Sequence, residues 1–139
     1  MRNEGIGMEK MNIYEALKDA PMDDYAGIKI VKLTGDASLS VYVADIAPHT
    51  KLTPHYHKEG IDAYQILKGT GTMKTAPFVD GEMLWSETFT ANEGDCFYIA
   101  PGIVHQILNE TDETLILVFT CPESHVSTDR HFVEIRSEE

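Results

Sequence analysis

From Ala26 onward the chain alternates apolar and polar residues with a period of two, in AGIKIVKL, SLSVYVADI, DAYQILK, DCFYIA, HQILN and TLILVFT. Successive side chains of a strand point to opposite faces, so this period builds half-buried strands. Turn-forming residues separate the runs: TGDA near Gly35, Asp80–Gly81, NEGD at Asn92–Asp95 and NETDE at Asn109–Glu113. Asp80–Gly81 predicts a tight hairpin with arms Gly71–Val79 and Glu82–Thr90. Pro77 in the first arm has no N–H to give to a ladder, which predicts an edge position for that arm. Many short strands with few helices make a sandwich or a closed barrel, and the jelly roll is one way to protect their edges.

Ahead of the strands, NIYEALKDAP reads as a short helix. Ile13, Ala16 and Leu17 share a face, Asn12 stands at the cap with Glu15 three residues later, and Pro21 follows the end. The expected organisation is an N-terminal extension carrying this helix over 1–25 and one β-barrel domain over 26–139. A chain of 139 residues that is 42% hydrophobic supplies one core and calls for no second. The longest apolar run, LILVF at Leu115–Phe119, is far too short for a membrane span, and the N-terminus has no apolar stretch of signal-peptide length. A cytoplasmic protein without a membrane partner is expected. The net charge of −12, with eleven scattered basic residues, argues against a nucleic-acid partner and for a small organic ligand. Cys96 and Cys121 match no zinc or redox spacing and, lying in or at the end of apolar runs, are expected as buried thiols.

The chemistry concentrates in PHYHKEGIDAYQILKG. In an extended strand His55 and His57 point the same way and Tyr56 points oppositely. Inside a small barrel two unsatisfied imidazoles would each cost about 1–3 kcal/mol, a difficulty that a shared metal ion removes. The plain alternative is a solvated pair near a loop. Asp62 opens the next strand and offers a carboxylate oxygen close by. A second segment, GDCFYIAPGIVHQILN, reads as turn, strand, Pro101–Gly102 turn and strand, with His105 directed to the same side as Ile103 and Ile107.

Together these segments resemble the two motifs of the cupins. The first motif of that family runs Gly, five residues, His-x-His, three or four residues, Glu, six residues, Gly; the matching positions here hold His49, His55, His57, Asp62 and Gly69. In the second, Gly94, Gly102, His105 and Asn109 match, while Ala100 stands where the first proline is usual and Pro101 follows it. The resemblance covers roughly 28–120. It implies an all-β double-stranded β-helix, a jelly-roll barrel, and one divalent transition-metal ion (iron, manganese, nickel, cobalt or zinc) held by His55, His57, Asp62 and His105. A homodimer is the family tendency.

Asp62 replaces the family's glutamate. The missing methylene shortens its reach by about 1.5 Å, so direct ligation needs a backbone shift; otherwise Asp62 acts through a water or holds a histidine. Glu59 is either a competing carboxylate or a solvated loop residue. An ion with open positions would suit an enzyme of dioxygenase, isomerase or lyase type acting on a small oxygen-rich molecule, with Glu59 and Tyr64 as candidate catalytic groups. The alternative is a non-catalytic binding protein whose metal is structural or absent. The tail CPESHVSTDRHFVEI carries His125, Asp129, Arg130 and His131. Either it closes over the cavity, with Arg130 pairing a substrate carboxylate, or it is a capped surface turn leading to a last strand. His49 is expected as an exposed loop histidine.

Overall fold

The computed structural model describes residues 7–23, 28–79, 82, 83 and 85–134. After helix α1 (Ile13–Leu17) come strands β1 (Met22–Asp23), β2 (Ile28–Gly35), β3 (Ser40–Ile46), β4 (Thr50–Lys51), β5 (His55–Tyr56), β6 (Asp62–Lys68) and β7 (Gly71–Val79). They are followed by β8 (Glu82–Met83), β9 (Glu87–Ala91), β10 (Cys96–Ile99), β11 (Ile103–Asn109) and β12 (Leu115–Cys121), a 3-10 turn at Glu123–Val126, and β13 (His131–Phe132). One sheet has the order β1-β2-β3-β12-β6-β10; the other has the order β13-β5-β11-β7-β8, with β4 also on β11 and β9 also on β7. Neighbours in the sheets are mostly distant in sequence, the interleaving of a jelly roll. Ile46, Ile66, Met73, Leu115 and Leu117 fill the space between the sheets. No helix among the described residues is long and apolar enough to cross a membrane.

The run LILVF does not alternate because both faces of β12 are covered. Leu115, Leu117 and Phe119 belong to the inner core, while Ile116 and Val118 join Leu33 and Val43 in a second apolar cluster on the outer face. Ile13, Ala16 and Leu17 of α1 pack on that cluster. The helix begins where expected, with Asn12 Oδ1 accepting from the backbone N–H groups of Tyr14 and Glu15 at 3.0 Å each. Of the motif residues, Asn109 is a buried staple: its Nδ2 donates to the carbonyls of Ile46 at 3.1 Å and Glu113 at 2.8 Å, tying two loops together.

Two expectations need correction. β7 is internal, with β11 on one side and β8 and β9 on the other. Pro77 is tolerated because its pairing with Ile103 ends the β7·β11 ladder, and on its other side it faces the break between β8 and β9. The register moves by one residue across that break, so the return arm is two strands rather than one. Cys96 is exposed, not buried. It stands opposite Gln65 on edge strand β10, and both side chains take the solvent face, whereas Cys121 is buried as expected. The Asp80–Gly81 turn and the boundary expected between 25 and 26 lie outside the described residues.

Gly69 carries a prediction. Its φ is +89°, and a Cβ there would stand 2.4 Å from the carbonyl oxygen of Thr114. Left-handed strain and a backbone clash together cost about 2–3 kcal/mol, so Gly69→Ala is expected to lower Tm by about 10 °C for a domain of this size. A thermal melt checks it; an unchanged Tm would show that this turn is free to relax.

Candidate metal centre

β5 and β11 pair so that His105 lies directly across from His55, and directly opposed residues in an antiparallel pair share a face. His57, the residue after β5 and two on from His55, has its side chain on that same face. Asp62 enters from the other sheet, at the start of β6. The sequence therefore places three imidazoles on one wall and a carboxylate on the opposing one. Ligand atoms of His55, His57, Asp62 and His105 all lie within 4.8 Å of one another. His57, Asp62 and His105 are buried, at 4%, 2% and 2% exposure.

Each imidazole is held in the same way. Nδ1 of His55 faces the carbonyl of Thr53 at 3.2 Å, Nδ1 of His57 that of Asp129 at 2.5 Å, and Nδ1 of His105 that of Ile103 at 3.0 Å. A carbonyl can only accept, so each Nδ1 carries a proton and each ring turns its Nε2 inward. Asp62 Oδ2 lies 3.0 Å from His57 Nε2 and 3.5 Å from His105 Nε2. Lone pairs facing a carboxylate repel unless a cation stands among them. Among the described residues His105 Nε2 is the buried side-chain nitrogen or oxygen without a hydrogen-bond partner. Two donors on one ion, with bonds of about 2.0–2.2 Å at tetrahedral or octahedral angles, stand about 3.0–3.5 Å apart. The residues present fit a divalent transition metal, and the shorter Asp62 reaches the cluster.

The electrostatics agree. Burial, reinforced by His105 and His57, holds His55 well below the ordinary histidine value, which keeps its lone pair available. Burial pushes the Asp62 carboxyl up, and the Nδ1–H of His125 on Oδ1 draws it down, below the usual carboxylate range. Burial and the neighbouring Asp62 carboxylate push the Tyr64 hydroxyl well above its ordinary value, so it stays a phenol with a long contact to Asp62 Oδ2 at 3.4 Å. Glu59 is exposed and contributes only backbone: its N–H donates to Asp129 Oδ2 at 3.0 Å.

Sequence reasoning missed His125 as a part of this centre. The ring is buried in the turn after β12, with Nδ1 at 2.6 Å from Asp62 Oδ1 and Nε2 at 2.5 Å from the Glu59 carbonyl. It stacks on His57 with ring centres 3.9 Å apart. Burial opposes charge on His125, but Asp62 and the Glu59 carbonyl outweigh it and raise the ring above its ordinary value. The turn is uncapped and His125 ties it into the centre, and it leads, as expected, to a last strand, β13. Asp129 receives the backbone N–H groups of Lys58 and Glu59 and orients His57 through its carbonyl. Arg130 lines the cavity but is paired with Asp23 Oδ2 at 2.6 Å. His49 is exposed, as expected, and bonds Asp112 at 2.6 Å.

Beyond the cluster the cavity wall is apolar, with Ile46, Leu52, Met73, Ile107, Leu117 and Phe119. Its free volume is about 40 Å³, room for about three waters at the ~10–15 Å³ each requires. Comparison with known proteins supports the fold. An uncharacterised protein of Aquifex aeolicus (strain VF5) is 28% identical over 95 residues, 68% of this chain and 69% of that one. The crystal structure of an uncharacterised conserved protein with a double-stranded β-helix domain from Klebsiella pneumoniae superposes with a TM-score of 0.64 at 19% identity, covering 89% of this chain and 96% of the other. A recombinant oxalate oxidase in complex with glycolate does so with a TM-score of 0.61 at 19% identity, covering 76% and 56%. The model of the cupin domain family matches residues 42–121, and with both sheets, both motifs and the interleaved strand order in place, the chain belongs to the cupins.

Proposed function

We propose that the protein holds one divalent transition-metal ion through His55, His57, Asp62 and His105 and acts on a small organic molecule that approaches this centre through oxygen atoms. The observation that carries the reading is the convergence of ligand atoms from three histidines and one carboxylate within 4.8 Å of one another, with His105 Nε2 unpartnered. When bound, such an ion supplies a Lewis acid that polarises an oxygen ligand. The protein's own side chains orient the ligand and exclude water. Tyr64, held as a phenol, is a hydrogen-bond donor beside Asp62 rather than a base. The apolar wall narrows the ligand to one with oxygens at one end and a hydrocarbon body, more than one that is oxygen-rich throughout. Enzymatic turnover is the reading we favour, of dioxygenase, isomerase or lyase type.

The test begins with metal content. Protein reconstituted with Fe(II), Mn(II), Ni(II), Co(II) or Zn(II) and desalted is expected to retain about one equivalent of at least one of these ions. Short-chain carboxylates and α-keto acids with a hydrocarbon tail are then titrated into the cobalt form, with a change in its visible spectrum expected and a weaker response to oxalate, which has no such tail. Oxygen uptake by the ferrous form against diketones, thiols and phenols separates a dioxygenase from an isomerase or lyase, which consumes none. Retention of no ion by the folded protein would sink the proposal.

A further inference from the structure

The carboxylate of Asp62 is divided between two sets of neighbours. Oδ2 faces Nε2 of His57 and His105, at 3.0 and 3.5 Å. Oδ1 is turned the other way, onto Nδ1 of His125 at 2.6 Å. The far side of that ring is fixed in turn, with Nε2 on the Glu59 carbonyl, and its face lies flat on His57 at an interplanar angle of 3°. His125 is therefore over-determined: one bond to the candidate ligand, one to the loop between His57 and Asp62, and a stack on a second candidate ligand. It comes from Glu123–Val126, a turn beyond the last residue matched by the family model.

Resting on the metal reading above, we propose that His125 is a positioning residue that makes Asp62 a one-oxygen ligand, its Nδ1–H occupying Oδ1 so that Oδ2 alone is presented to the ion. A free aspartate side chain can turn about its bonds and offer either oxygen or both. With His125 in place one orientation is selected, and the shorter side chain is kept pointing at the imidazole cluster. This pairing is how the chain accommodates aspartate at a position where glutamate would reach further.

The experiment is a Co(II) titration of metal-free full-length protein, read by retained affinity and by the visible d–d spectrum. Loss of an outer hydrogen-bond partner typically lowers metal affinity about 10–100-fold, and that loss is expected for His125→Ala, with a shifted spectrum because the carboxylate can now turn. His125→Asn keeps an N–H donor close to the position of Nδ1, and is expected to bind within about threefold of wild type with the wild-type spectrum. A His125→Ala protein that binds cobalt with wild-type affinity and spectrum overturns the proposal. Should His125→Ala not fold, His125→Asn decides, since weak binding and an altered spectrum in that variant would contradict it. Ligand atoms of Asp62, Cys121 and His125 also lie within 4.8 Å of one another, so uptake of a second equivalent by wild type that is lost in both His125→Ala and Cys121→Ala also overturns it, because His125 would then ligate an ion of its own. Wild-type protein that takes up no cobalt removes the metal reading itself, and the inference with it.

Discussion

His105→Ala is expected to abolish stoichiometric metal binding while leaving the metal-free protein folded. The ring stands across from His55 on β11 and supplies one of three inward nitrogens. If His105 is a direct ligand as proposed, its removal should exceed the ~10–100-fold weakening that follows loss of an outer partner. In the metal-free chain two effects oppose each other. The substitution deletes a buried nitrogen without a partner, worth about 1–3 kcal/mol in relief, and it leaves a void whose cost for a large-to-small core change is about 2–5 kcal/mol. The net destabilisation should be about 1–2 kcal/mol. In wild type, an ion at 100 times its Kd adds about 2.7 kcal/mol of stability, visible as a rise in Tm. The variant should show no metal-dependent rise, and one that keeps both a full equivalent and the rise would show that His105 does not contact the ion.

Asp62→Ala carries the second large effect, on the metal-free protein itself. Asp62 is buried and forms a pair with the buried His125 at 2.6 Å. Breaking a buried pair by deleting one partner costs about 3–5 kcal/mol, because the remaining group stays buried without compensation. Urea denaturation at pH 7 reads this directly. The pH dependence has a defined sign. The fold holds the Asp62 carboxyl below its ordinary range, so its contribution is complete above the unfolded value of about 3.9 and drains away as pH falls below it. The gap between wild type and Asp62→Ala should therefore be widest near neutrality and narrow below about pH 4. A gap independent of pH would mean that Asp62 contributes through packing and not through its charge.

What could be read from the sequence divides along sequence distance. The strands were legible because each writes its own period, and the approach of His55, His57, Asp62 and His105 was legible because two short motifs each bring their residues to one end of a strand. α1 was legible from its cap. The failures involve information that no local window contains. Pro77 predicts an edge only if a full ladder runs on both its sides, and here the ladder stops at that residue. Cys96 sits in an apolar run, but which face it takes depends on pairing with Gln65. His125 lies 63 residues from Asp62, in a turn of polar composition, and nothing in ESHV distinguishes a buried histidine from a solvated one. The reach of Asp62 was likewise a tertiary matter, since it depends on how closely the two walls approach. An acceptor opposite each Nδ1 could not have been found either, because carbonyls are present at every residue.

The segment after β12 reaches back a long way: Asp129 holds His57 across 72 residues, and Arg130 holds Asp23 across 107. Chains emerge from the ribosome N-terminal end first, at about 5–20 residues per second. For 72 residues of synthesis His57 has been made while Asp129 has not. An ion met during that interval would find rings free to rotate and a carboxylate free to swing. Firm capture of the proposed ion would thus wait until the segment after β12 has been made, which gives the nascent polypeptide little chance to be trapped around whichever cation is most abundant.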